Sequence, residues 1–178
     1  MKTIDLEKGF KMTLRQAVPE DAERLLAFTK IVGGETDFLL MDENGISMPV
    51  EKERELLADY AAREDAAFFL AEIDGEIVGT ASIEAARNRH LSHNARFGIA
   101  VRKKFWHIGI GSALLETMLA FARESGKIEY IRIEVRAGNE RALKLYEHFG
   151  FRQVGLRERA IRVREDEYYD EILMDLKL

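Results

Sequence analysis

The stretch Val101-Arg-Lys-Lys-Phe-Trp-His-Ile-Gly-Ile-Gly-Ser112 decides how this chain is read. A strand ends at Val101, a basic turn follows, and glycines stand at 109 and 111. The next run, Ala113-Leu-Leu-Glu-Thr-Met-Leu-Ala-Phe-Ala122, has helical periodicity. A helix starting there leaves its first N–H groups unpaired and carries about half a positive charge at that end. Glycines let an anion's oxygen approach the backbone without meeting a Cβ. Arg102, Lys103 and Lys104 add full charges nearby. The turn from His107 to Ser112 therefore reads as an anion site, with a diphosphate as its natural guest.

The surrounding chain fits a single α/β domain over residues 1–178. Met12 to Val18 alternates as a strand, and Pro19 opens a helix whose end is expected at Gly33-Gly34. Glu35 to Met48 lacks a period and reads as a loop; Pro49 to Arg63 restarts a helix with Leu56, Leu57 and Tyr60 inward. Asp74-Gly75 between the apolar runs 66–73 and 76–83 predicts a hairpin with a type I′ turn. Asn94 to Val101 is the next strand, and the helix after the glycine turn closes at Gly126. Ile128 to Arg136 alternates as a strand, Asn139 caps a helix running to His148, and a terminal hairpin turns near Glu165-Asp166. The order β-α-α-β-β-β-α-β-α-β-β predicts a mixed central sheet of about seven strands with helices on both faces.

The second informative segment is Asn139-Glu-Arg-Ala-Leu-Lys-Leu-Tyr-Glu-His-Phe-Gly-Phe151. Alone it has a plain reading: Asn139 caps, Leu145 packs, and Phe149-Gly150-Phe151 turns helix into strand. Together with the glycine turn it resembles the GNAT superfamily of N-acetyltransferases. There a strand leads into Gln/Arg-x-x-Gly-x-Gly/Ala at a helix start, and a later strand leads into Asn-x-x-Ala-x-x-Leu-Tyr and then Gly-Phe. Here these are Trp106-His-Ile-Gly109-Ile-Gly111 and Asn139-Glu-Arg-Ala142-Leu-Lys-Leu145-Tyr146 with Gly150-Phe151. Trp106 departs from the pattern, standing where Gln or Arg is usual. The family's diphosphate contact is largely main chain, so the site survives that change, and Trp106 packs on the loop or beside the cofactor.

The resemblance implies acetyl-CoA as cofactor. Ile99, Ala100 and Val101 would pair with the pantetheine amides, as an added strand does. Lys104, Trp106, His107, Ile108, Gly109, Ile110, Gly111 and Ser112 would surround the diphosphate, with Asn139, Ala142 and Tyr146 across from them. Tyr146 would protonate the leaving sulfur, a phenol of pKa about 10 serving a thiol of about 8.5. A main-chain N–H near Ile99 or Ala100 would polarise the carbonyl. The base that frees the amine is sought among Glu35, Glu72, Glu84, His93 and Glu134, with Glu35 and His93 put forward as catalytic; each also reads as a solvated or structural residue.

Glu35-Thr36-x-Phe38-Leu39, Arg89-His-Leu-Ser-His93, and the ending with Glu167-Tyr-Tyr-Asp170 and Met174 resemble members acting on small amines, the L-amino-acid and phosphinothricin-type N-acetyltransferases. The expected partner is thus a small-molecule amine acceptor. A protein N-terminus is the competing acceptor, because ribosomal-protein N-terminal acetyltransferases share the framework. A non-catalytic acyl-CoA-binding regulatory module is a third reading.

The net charge of −5 argues against a nucleic-acid footprint, and no apolar run is long enough to span a bilayer. Residues 1–8 hold no signal-peptide core, so a cytoplasmic protein is expected. Absence of cysteine excludes a thiolate metal site and a Cys acyl-enzyme. His90 and His93 lack a supporting cluster, and no metal is expected. Leu114 stands where a dinucleotide fingerprint needs its third glycine, which argues against a Rossmann domain. A homodimer is the expectation from symmetry preferences alone.

Overall fold

The computed structural model describes residues 1–178 apart from the Lys8 side chain. Its strands and α-helices are β1 (Lys2–Asp5), β2 (Lys11–Gln16), α1 (Ala22–Glu35), α2 (Val50–Ala62), β3 (Ala66–Ile73) and β4 (Glu76–Ala85). There follow β5 (Asn94–Val101), α3 (Ile110–Ser125), β6 (Tyr130–Arg136), α4 (Glu140–His148), β7 (Arg152–Arg164) and β8 (Glu167–Lys177). The described strands form one eight-stranded mixed sheet in the order β1-β2-β3-β4-β5-β6-β8-β7. The β5–β6 pair is parallel and the other pairs are antiparallel.

Local chemistry explains most joints. Asp74 and Gly75 take φ of 50° and 79°, as a type I′ hairpin turn requires. The Asn139 side chain accepts from Ala142 N at 3.2 Å and so starts α4. Gly126 ends α3 in the left-handed region.

Alternation along the strands sends their side chains to opposite faces, and two cores result. One contains Phe69, Ala71, Ala81 and Ile83 of the sheet with Leu114, Leu115, Met118 and Leu119 of α3. The other packs Leu70 and Ile77 against Leu25, Phe28 and Val32 of α1 and Leu57 of α2. Helices thus cover both faces, as the pattern predicts.

Two expectations are corrected. The sheet has eight strands rather than about seven, because Lys2–Asp5 pairs with Lys11–Leu14. Gly33-Gly34 does not stop α1, which continues to Glu35. A Cβ on Gly33 would lie 1.9 Å from the Asp42 carbonyl oxygen. Close approach of the following loop, not a helix end, is what requires glycine there.

Candidate active site

The site begins where two strands part. β5 pairs with β4 from Ala95 to Val101, but with β6 only from Asn94 to Arg96. Arg102 N–H donates to Val78 O at 2.9 Å. Antiparallel alternation then turns the main-chain groups of Gly98 and Ala100 toward β4, and those of Ile99 and Val101 toward the open side. Beside the fork the Phe97 ring packs edge-on against Tyr146 and Phe151, with centroids 5.4 and 5.6 Å away.

The glycine turn stands at the end of this fork. His107 and Gly109 have φ of 63° and 93°, so the chain curls as it enters α3. No side chain caps that helix, and its first bond runs from Ala113 N to Gly109 O at 3.0 Å. No protein acceptor among the described residues reaches the N–H groups of 107–112. A row of free amides on a concave turn suits an anion. All of these residues except Ile108 line a cavity of about 270 Å³ with Ile99–Val101 and, from α4, Arg141, Ala142, Leu145 and Tyr146. The pyrophosphate and amide chain of acetyl-CoA fits such a donor set.

Several predicted residues meet there: Ile99, Ala100, Val101, Trp106, His107, Gly109, Ile110, Gly111, Ser112, Asn139, Ala142 and Tyr146 all line the cavity. Lys104 and Ile108 do not. Lys104 reaches away to Glu76 at 3.0 Å, and Ile108 is buried in the core under α3. Arg102 is drawn away likewise, to Glu35 at 3.0 Å and Glu76 at 2.5 Å. Trp106 packs on its own loop, its Nε1 donating to Val101 O at 2.7 Å. One carbonyl of the strand end is therefore already engaged.

The sequence reading missed Arg141. Its guanidinium stacks on Trp106 at 3.3 Å from the ring and lines the cavity, and no carboxylate among the described residues pairs with it. Burial draws its pKa downward, and the Tyr146 oxygen opposes this. It supplies the positive charge that Lys104 and Arg102 do not.

Tyr146 stands where this cavity meets a second one of about 400 Å³, and both are bounded by Phe38, Leu39, Ile99 and Ala100 as well. Its ring is buried, and its hydroxyl has no hydrogen-bond partner among the described residues. Burial pushes the phenol well above its ordinary pKa, with nearby Arg141 opposing. The group therefore holds its proton throughout the neutral range, and its mismatch with a thiol is larger than a solvated phenol's would be. The same dry surroundings also raise the proton affinity of a thiolate formed beside it.

The second cavity lies between α1, α2, the loop of residues 38–48 and the sheet. Its walls are mainly apolar, with Glu53, Glu134 and Arg136 as its charged residues. Continued at the register of the last paired residues, Glu134 stands level with Gly98 and Arg136 with Ala100. Glu134 faces Arg96 at 3.5 Å and Arg157 at 3.7 Å. The Arg136 guanidinium lies 3.5 Å from the Tyr169 ring centroid and donates to Asp37 O at 2.6 Å, tying the loop to the sheet. Glu53 is only 3 % exposed. The sequence reading missed it too, although it shares the α2 face of Leu56, Leu57 and Tyr60, where an acid is out of place.

Other candidate bases lie elsewhere. His93 precedes β5 at its far end, against Tyr130 and Asn94, about seven residues or roughly 23 Å of strand from Ala100. Glu35 accepts from Arg102 Nε at 3.0 Å and Lys103 N at 2.6 Å, which makes it a clasp between α1 and the turn. Glu72 is held by Arg15 and Arg24, and Glu84 by Arg63. Neither His93 nor Glu35 lines either cavity.

A forked parallel strand pair, free amides at a helix start and a phenol between two cavities define the site of an acyl-carrier-dependent transferase. The chain belongs to the acetyltransferase (GNAT) family, whose model matches residues 38–151. It is accordingly an acetyl-CoA-dependent N-acetyltransferase. It is 27% identical over 176 residues to an N-alpha-acetyltransferase of Sulfurisphaera tokodaii, covering 94% of this chain and 96% of that protein. It is 31% identical over 102 residues to the L-amino acid N-acetyltransferase AaaT of Escherichia coli, covering 57% and 62%. The crystal structure of a GNAT-family acetyltransferase from Streptococcus pneumoniae superposes with a TM-score of 0.91 at 32% identity, over 94% of this chain and 99% of that one. No helix is long and apolar enough to cross a membrane among the described residues.

Proposed function

We propose that this enzyme acetylates a small amine or amino acid by direct attack, with both substrates held at the fork. The carrying observation is the junction of two cavities at Tyr146: one is lined by unpaired amides, the other by apolar walls with a few charges. The bound thioester would supply an acetyl group activated toward nitrogen. The amides of 107–112 and Arg141 would hold its phosphates, and the open main chain of Ile99 together with the Val101 N–H its amide arm. An N–H from that strand would steady the carbonyl oxygen, an effect commonly worth about 3 kcal/mol.

Tyr146 would give its hydroxyl proton to the departing sulfur. Glu134, level with Gly98 on the facing strand, is assigned the proton that the amine must lose. With no cysteine in the chain a Cys acyl-enzyme is excluded, so the amine nitrogen would take the acetyl group directly, its bond to the carbonyl carbon replacing the carbon–sulfur bond as the thiol leaves with the Tyr146 proton.

A protein N-terminus is the second reading, favoured by the nearly full-length likeness to an N-alpha-acetyltransferase. The enclosing loop of residues 38–48 favours the small acceptor instead. Thiol release from acetyl-CoA, measured across a panel of amines and of peptides, separates the two. Tyr146→Phe is expected to lower kcat by about 10²–10⁴-fold and to keep acetyl-CoA affinity. Full turnover in that variant would refute the assignment of Tyr146.

A further inference from the structure

Glu53 is a buried acid that the chemistry above does not use. It sits in the first turns of α2 and is 3 % exposed, and its side chain borders the second cavity. Among the described residues it has neither a hydrogen-bond partner nor an ion-pair partner. The same cavity wall holds the apolar Leu25, Phe28, Leu56 and Phe68, with Thr29, Thr80 and Ser82 as its hydroxyl residues. A buried carboxyl without a partner is costly, and burial pushes its pKa upward. The other charged residues on the cavity have protein partners. Glu134 faces Arg96 and Arg157, and Arg136 lies against Tyr169 and donates one Nη to Asp37 O, while its Nε is buried without a partner among the described residues.

We propose that Glu53 is the acceptor-recognising carboxylate, and that the acceptor is a diamine with an apolar middle. One nitrogen is acetylated at the fork while the other stays cationic and is received by Glu53. This rests on the small-amine reading and narrows it. An ammonium gives the carboxylate the counter-charge that the protein withholds, and the apolar walls suit the methylene chain between the nitrogens. An acceptor with an anion at that end would set like charges together in a dry site.

The test compares alkyl monoamines with α,ω-diamines of matched chain length, at saturating acetyl-CoA. Wild-type kcat/KM is expected to favour the best diamine by about tenfold to a hundredfold, the range of one charge-assisted hydrogen bond. Glu53→Gln is expected to bring that ratio close to one, with a retained thermal shift on acetyl-CoA showing that the variant is folded. Equal use of both amine classes by the wild-type enzyme would overturn the proposal without any variant. So would a preference that survives in Glu53→Gln. If peptides are acetylated and no small amine is, the small-amine reading falls and this inference falls with it.

Discussion

Replacing Gly33 by alanine tests whether α1 and the loop after it form the acceptor wall as described. The new Cβ would stand 1.9 Å from Asp42 O and 2.6 Å from Asp42 C, and real Cβ contacts essentially never fall below 3.0 Å. The loop must therefore retreat by more than 1 Å, and backbone cannot rotate aside as a side-chain tip can. Overpacking of this kind costs about 1–3 kcal/mol. Alanine also favours a helix interior by about 1 kcal/mol over glycine, which opposes the loss. Gly34→Ala isolates that opposing gain, since its Cβ would meet only Glu43, its Cβ at 3.5 Å and its Cα at 3.8 Å, both ordinary contacts. Gly34→Ala should thus match or exceed the wild-type Tm, while Gly33→Ala should fall below its neighbour by about 1–3 kcal/mol. In a chain of this length that is a gap of about 2–4 °C per kcal/mol. Leu39, Leu40 and Met41 precede Asp42 and line the second cavity. Gly33→Ala should therefore also raise KM for the amine and leave acetyl-CoA affinity unchanged. Paired scanning calorimetry and steady-state kinetics read both effects. Equal melting temperatures and equal amine KM in the two variants would refute the packing argument.

Arg141→Ala should weaken acetyl-CoA binding about tenfold, one charge-assisted contact, as measured by calorimetric titration; unchanged affinity would remove Arg141 from the phosphate site. The Arg15 guanidinium beside Asp21 holds that carboxyl below its usual range. The stability it contributes is present above an unfolded pKa of about 3.9 and is lost as pH falls through the lower folded value. Asp21→Asn should accordingly be less stable than wild type at neutral pH, with the difference shrinking in acid unfolding below about pH 4. Glu53 carries the opposite sign, because its folded pKa is raised. Its contribution is greatest below the unfolded value of about 4.3 and declines as pH rises through the folded one. The Tm of Glu53→Gln relative to wild type should therefore climb from pH 4 to pH 8, and a flat difference would show that burial does not penalise the carboxylate.

Features carried by a few adjacent residues were legible from the chain itself. Asp74-Gly75 specifies its own turn, Asn139 its own cap, and Gly109-Ile-Gly111 the bare start of α3. What escaped depends on partners distant in sequence. The Lys2–Asp5 strand is four residues long and gains its identity from pairing with β2. Gly33 is required by Asp42, which arrives only after the loop has folded back. The charges of Arg102 and Lys104 look available for phosphate until Glu76, on another strand, takes them. Glu35 looks like a free acid until Lys103, 68 residues on, donates to it. Glu53 is different, since its place on the Leu57 and Tyr60 face could have been noticed as an acid in an apolar stripe. Arg141 gave no such signal, because its stacking on Trp106 joins two segments that meet only in the fold.

The central claim is that the unpaired amides at the start of α3 grip the phosphates of acetyl-CoA. Titrating acetyl-CoA into ¹⁵N-labelled protein reads those amides one by one. The N–H signals of His107 to Ser112 are predicted to move most, with Ile99 and Val101 following and His93 still. Saturation with those six signals unmoved would contradict the account.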